Sequence, residues 1–335
     1  MKRIASLFLA LALTLSLTAC TAPAEKADGG KLQIVTTLFP YYDFARAIAQ
    51  DRADVTLLLS PGREAHSFEP TPLDAVTISE ADVFLYNGGE GEYWVESMLG
   101  AAGENIAVVA RMMDYVDALN EEYVEGMQGA DGHDHDHEHG SHDDHDHDHE
   151  EDEHDSDEIE YDEHIWTSPK NAVVLCRAVC DAICRADSKN AAFYRANCEN
   201  YCAQLEDLDA RFSALCESAP RRLLIFADRF PMLYFCREYG LDYRAAFHGC
   251  SGDTEPSLAT IKFLIDKVED EDIPVVYTID FGTKKVAAVV SECTGAAIET
   301  LYSMQTVSRA DFDAGETYLT LMERNFEALR KGLNA

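Results

Sequence analysis

The sequence predicts an α/β protein of two similar lobes. Each lobe is a four-stranded, mostly parallel sheet covered by helices, and a long rigid helix joins them and leaves a cleft between. Three observations predict this. Strand-like apolar runs alternate with amphipathic helical runs early in the chain, the same alternation resumes after residue 220, and an unbroken helical seam separates the two. A chain of 335 residues with 47% hydrophobic composition can bury two such cores.

From Lys31 the segments read in order as strand LQIVTTL, helix YYDFARAIAQ, strand ADVTLLLS, helix TPLDAVTISEA, strand DVFLYN, helix EYWVESMLG and strand NIAVVA. Strands that are separated by helices pair in parallel, because a parallel neighbour needs a crossover connection. A polar insertion follows Arg111. After Pro169, helical patterns cover Lys170–Asp187 and Ser188–Glu217; in the second, Tyr201, Leu205, Leu208, Phe212 and Leu215 form an apolar seam at alternating four- and three-residue steps. At 1.5 Å per residue that pattern spans roughly 45 Å, enough to cross a domain, which marks it as a connector. The second alternation begins at Arg222. It runs through strand LLIFAD, helix PMLYFCREYG, strand LDYRAAFHG, helix SLATIKFLIDKVEDED, strand IPVVYTID, helix TKKVAAVVSECTG, strand AIETLYS and a last helix over Gly315–Leu333. The expected divisions are therefore a leader over 1–20, a tether over 21–30, an N-terminal lobe over 31–187 with a disordered loop at 118–160, a connecting helix over 188–217 and a C-terminal lobe over 218–335. Open α/β sheets bind ligands at their strand ends, so the cleft is the expected site.

The first residues form a targeting signal, with Lys2 and Arg3 ahead of an apolar run from Ile4 to Leu17. That run falls short of the about 20 residues of a comfortable membrane span. Its ending, Leu17-Thr18-Ala19-Cys20, resembles the bacterial lipobox, which implies lipidation at Cys20 and a membrane-anchored protein on the extracytoplasmic face. The net charge of -35 is concentrated: residues 114–163 hold 23 of the 62 acids, and no Lys or Arg lies between Arg111 and Lys170. The rest of the chain is only mildly acidic. Nucleic acid is excluded as a partner, because no cluster of basic residues is available for phosphate. Nine cysteines remain after Cys20, an odd number that leaves at least one unpaired within the chain. Cys176, Cys180 and Cys184, and likewise Cys198 and Cys202, fall four apart on helical faces, where they read as small buried hydrophobes. A thiolate zinc cluster is the alternative reading, although the short Cys-x-x-Cys pairs of structural zinc sites are absent from these runs.

Nine of the twelve histidines lie in Gly132–Asp155, GHDHDHEHGSHDDHDHDHEEDEHD. His133, His135, His137, His139, His142, His145, His147, His149 and His154 alternate with carboxylates and have no apolar neighbours. Charge of this density resists compaction, and the carboxylates favour protonated imidazole, so weak and exchangeable metal capture is expected here. The remaining histidines are His66, His164 and His248. His66, in SPGREAHSFEP, follows a strand end, and His164, in YDEHIWTSP, precedes the first long helix, so both should face the cleft.

The chain from Lys31 onward resembles the solute-binding lipoproteins of ABC importers for zinc and manganese, the high-affinity zinc-uptake family. The resemblance rests on Pro61, Gly62, His66 and Pro70; on Asp162, His164, Trp166 and Pro169; on the Tyr-Gly-Leu at Tyr239; on Thr254–Ser257; and on Tyr318, Leu319, Met322, Asn325 and Leu329. It implies that His66 and His164 are metal ligands. The family's third ligand, a histidine opening the first C-lobe helix, has no counterpart. Asp228 or Arg229 takes its place in FADRFPMLYF, and Asp228 is the expected donor, since carboxylates ligate zinc and arginine cannot. The family's final-strand carboxylate is replaced by Tyr302 and Ser303. His248, Asp280 and Glu255 are the further candidates, as ligands or as groups that orient ligands.

The resemblance implies capture of Zn2+ and delivery to an ABC permease by a monomer that catalyses no reaction. Mn2+ remains open, because two histidines with carboxylates suit either ion and the histidine-rich tract favours zinc. A zinc hydrolase and a zinc buffer are the readings from other classes, and no His-Glu-x-x-His signature supports the first.

Overall fold

A computed structural model describes residues 30–63, 68–102, 106–128, 160–249 and 255–334. In the N-terminal lobe, β1 (Leu32–Thr36), β2 (Ala53–Leu57), β3 (Val83–Tyr86) and β4 (Val108–Arg111) form a sheet in the order β2-β1-β3-β4. In the C-terminal lobe, β5 (Leu223–Phe230), β6 (Asp242–His248), β7 (Val275–Ile279) and β8 (Ala297–Leu301) repeat that arrangement as β6-β5-β7-β8. Every described pairing within the two sheets is parallel. The central strand β7 (VVYTI) is buried at every position, as expected of a strand covered on both faces, whereas the edge strand β2 alternates in exposure.

The N-lobe helices are α1 (Phe39–Ala49), α2 (Pro72–Ser79) and α3 (Trp94–Ala102). Thr71 and Asp74 form a reciprocal capping box at α2. Next come α4 (Pro169–Ala186), whose first turn is capped by Ser168 with Pro169 following, and the 28-residue α5 (Ala191–Ser218). The C-lobe adds α6 (Leu233–Tyr239), α7 (Leu258–Asp270), α8 (Lys285–Thr294), α9 (Arg309–Ala314) and α10 (Tyr318–Leu333). Gly240 ends α6 in the left-handed conformation at φ +62°, which accounts for the glycine of the Tyr-Gly-Leu turn.

The seam residues Tyr201, Leu205, Leu208, Phe212 and Leu215 are all buried. They belong to one apolar core that runs from Ile34 and Phe44 in the first lobe, through α4 and α5, to Phe226 and Tyr277 in the second. Smaller clusters lie on the outer side of each sheet, around Val35 and Phe84 in one lobe and around Ile225 and Val276 in the other. The lobes thus share a single packed interior, which opposes a wide hinge motion.

One expectation is corrected here. Residues 118–128, placed by the sequence inside the disordered loop, are ordered against the rest of the protein. Asn120 pairs antiparallel with Tyr161, the Gln128 N–H donates to the Ala246 carbonyl at 2.9 Å, and Met127 is buried. Charge density had masked the apolar anchors Leu119, Val124 and Met127, which pack against the core.

Candidate functional site

His164 sits in the segment that leads from the first lobe into α4, and it is buried at 2% exposure. Its backbone N–H donates to Asp162 Oδ1 at 2.8 Å, and its Nδ1 lies 3.2 Å from the same oxygen. A carboxylate can only accept there, so Nδ1 carries the proton and Nε2 holds the lone pair suited to a metal. Burial pushes the imidazole pKa down, but the charge and hydrogen bond of Asp162 outweigh this, with smaller contributions from Glu163 and Glu121, and the result lies above the ordinary value. Asp162 is itself fixed, because Tyr234 Oη donates to its carbonyl at 2.8 Å and accepts from the Leu119 N–H at 3.0 Å. Two residues on, the Trp166 indole donates to the Ser303 carbonyl at 2.7 Å, and Tyr318 Oη donates to the Trp166 carbonyl at 2.7 Å. The Asp-x-His-x-Trp motif is thereby pinned to the far lobe.

His164 faces a cleft of about 330 Å3 lined also by Arg229, Pro231, Gly249, Ser303 and Gln305. The C-lobe wall is built from strand ends. The register of β5 shifts between Phe226 and Arg229, a bulge that re-aims the end of the strand. As a result Arg229, buried at 8% exposure, lines the cleft. Asp228 turns instead toward β7: its Oδ2 accepts from the Ile279 N–H at 3.4 Å, and its carboxylate occupies the space where a side chain on Gly282 would stand. Of the two residues the sequence offered for the missing histidine, the bulge thus sets Arg229 at the cleft wall and Asp228 against the end of β7. Gly249 closes over the imidazole so tightly that an added Cβ would lie 3.1 Å from His164 Nδ1 and 2.9 Å from the Phe230 carbonyl oxygen. After β8 the chain is held by Asn325, which accepts from the Tyr302 N–H at 2.7 Å and donates to the Tyr302 carbonyl at 2.9 Å. Met304 follows at φ +61°, in the left-handed region that non-glycine residues rarely adopt, and this strained turn presents Ser303 and Gln305 to the cleft.

The other candidates have partners of their own. His248, at the end of β6, pairs through Nδ1 with Glu121 Oε2 at 2.7 Å, and its ring lies tilted against that of Tyr123 with centroids 5.1 Å apart. Asp280 accepts from the Ser303 N–H at 3.2 Å, and burial raises its pKa to about 6. Glu255 is exposed, 3.5 Å from Lys285 Nζ. His66, Cys20 and the nine histidines from His133 to His154 lie outside the described residues. Glu121 is the participant that sequence reasoning missed. Its side chain is 5% exposed, it contacts His248, and its charge acts on His164, but it was counted as one acid among many in the polar insertion.

A second cavity of about 370 Å3 lies at the N-lobe strand ends, lined by Thr37, Phe68, Asn87, Glu92, Glu163 and Gln305 among others. The two cavities share Gln305 and receive the neighbouring residues Glu163 and His164, one each. Burial raises the Glu92 pKa to about 7, although the Gly88 N–H donates to its Oε2 at 2.8 Å.

Two like lobes on a shared rigid interior, with strand ends meeting at a cleft, define a two-lobed substrate-binding protein. The chain belongs to the ZnuA family, described as zinc-uptake complex component A, periplasmic, whose family model matches residues 34–332. It is 32% identical to the high-affinity zinc uptake system protein ZnuA of Bacillus subtilis, over 99% of this chain and 98% of that protein. It is 30% identical to the zinc-binding lipoprotein AdcA of Streptococcus pneumoniae, over 99% of this chain but 61% of that longer protein. Among solved structures, the metal-dependent lipoprotein YcdH of Bacillus subtilis superposes with a TM-score of 0.72 at 29% identity, covering 90% of this chain and all of that one. The Zn(II)-bound ZnuA-like domain of Streptococcus pneumoniae AdcA gives 0.71 at 25% identity, covering 91% of this chain and all of the domain.

Proposed function

We propose that this protein captures zinc in the cleft between its lobes and delivers it to an ABC importer permease. The observation that carries the reading is His164, buried in the seam of a zinc-uptake family fold with its Nδ1 held by the Asp162 carboxylate, the support that orients a metal-ligating imidazole. His66 is the companion ligand implied by the family motif. Asp228 and Glu255 have partners of their own, so the remaining coordination falls to water or to a carboxylate that moves on metal binding, with Glu163 and Glu121 both close enough for their charge to act on His164. Zinc accepts two imidazoles with oxygen donors. The nine-histidine tract would gather metal and hold it near the cleft at high effective concentration. Cys20 would anchor a monomer to the extracytoplasmic face of the membrane. No helix of the described residues is long and apolar enough to span a bilayer.

Zinc titration of the full chain and of a form lacking residues 129–159 tests the reading. One tight site should persist without the tract, and only weak additional sites should disappear. Loss of the tight site on deletion would move the principal site into the tract. Because the lobes share one core, small-angle scattering should give the same radius of gyration with and without zinc.

A further inference from the structure

The thiols fall outside this function. Cys176 and Cys180 on α4 face Cys198 and Cys202 on α5, and all four are buried. Four-residue spacing stacks each pair one turn apart on a single helix face. The Sγ atoms of Cys176, Cys198 and Cys202 lie within 4.8 Å of one another, and the Cys198–Cys202 separation is 3.8 Å. Cys180 lies one turn further along α4, with its Sγ 4.0 Å from that of Cys184. Among the described residues, no other set of three Cys, His, Asp or Glu side chains brings its donor atoms this close.

Small-hydrophobe packing explains the burial of these residues but not the meeting of three sulfurs. A disulfide would use two of them and leave the third stranded against it. A metal ion uses all three: with M–S bonds of ~2.3 Å, a trigonal centre needs sulfurs ~4 Å apart, and a tetrahedral one slightly less. The 3.8 Å between Cys198 and Cys202 meets that condition, and the 4.8 Å bound on the two separations from Cys176 leaves at most a shift of less than about 1 Å to meet it. The donors are soft thiolates, which select closed-shell thiophilic ions over magnesium, calcium or manganese. Arg177, one residue beyond Cys176, lies close enough for its cation to act on Cys198 and Cys202.

We propose that α4 and α5 enclose a second metal site, in which Cys176, Cys198 and Cys202 hold one divalent d10 ion of the zinc and cadmium class. Binding replaces each S–H by an M–S bond and releases one proton per donor to solvent. Arg177 offsets the residual negative charge. The ion would clip the connector helix to its neighbour, a structural role separate from the cargo site at His164.

Cadmium is the probe, because thiolate ligation gives an ultraviolet charge-transfer band that imidazole and carboxylate ligation do not. The full chain, purified reduced and without oxygen, should develop this band to saturation at one equivalent per cluster. His164→Ala and Cys293→Ser should leave it unchanged, and the Cys176→Ala/Cys198→Ala double variant should lose at least about nine-tenths of it. Absence of the band in the parent protein, or its persistence in the double variant, would overturn the proposal. X-ray absorption on the zinc-loaded parent protein reads the donors without any substitution. Sulfur neighbours are expected, and a shell of nitrogen and oxygen alone at two equivalents of zinc would refute the site. A Cys176–Cys198 disulfide in protein isolated from cells would also refute it.

Discussion

The two cavities occupy equivalent places at the ends of two sheets with the same strand order, yet their chemistry is opposite. The N-lobe cavity is acidic, with Glu92 and Glu163 beside Asn87 and apolar walls. The C-lobe cavity holds the imidazole of His164 beside the fixed cation of Arg229. The boundary between them is one peptide bond, from Glu163 to His164. Repetition of topology sets where a cleft forms, while single side chains at the strand ends set what it can hold.

The strongest way to break this comparison is to remove the imidazoles. His66→Ala combined with His164→Ala should weaken zinc binding by about a thousandfold or more, which is ~4 kcal/mol, as read by competition with a chelator. Unchanged tight binding would remove the cleft as the site.

The acidic cavity predicts a pH effect on stability. Glu92 binds its proton more tightly in the folded protein, with a pKa of about 7 against 4.5 when exposed. Stability from this group is fully present below about pH 4.5 and is lost as pH rises through about 7, by on the order of 3 kcal/mol. Glu92→Gln should flatten the denaturant midpoint over that window and raise it at pH 8. An unaltered pH profile would mean that Glu92 is already ionised in the fold.

A smaller effect tests the support of His164. Asp162→Asn keeps the shape but weakens the hold on Nδ1, and zinc affinity should drop ~10–100-fold, with the folded circular-dichroism spectrum unchanged. No loss of affinity would show that the ring is held by packing alone.

The smallest expected effect sharpens the C-lobe side. Arg229→His replaces a cation at the cleft by a donor and should tighten zinc binding about tenfold, ~1.4 kcal/mol. Asp228→Ala should change affinity little, because its carboxylate is engaged at Ile279. The opposite ranking in calorimetry would restore Asp228 as a ligand.

Strand alternation, helix periodicity and the apolar seam of α5 determined the two lobes, their eight described strands and the connector, because burial demands repeat with the period of each element. The Asp-x-His-x-Trp segment was equally legible, since its groups act within a few residues of one another. The rest depended on separations that no local pattern encodes. A bulge in β5 decided between Asp228 and Arg229, since adjacent strand residues face opposite ways and one extra residue exchanges them. Packing of residues 118–128 on the C-lobe brought Glu121 to His248, across more than a hundred residues of chain. Cysteines that the sequence placed on separate helix faces became a sulfur cluster only when α4 met α5. Sequence period fixes which face of an element is apolar; which faces meet, and so which donors converge, is settled by packing.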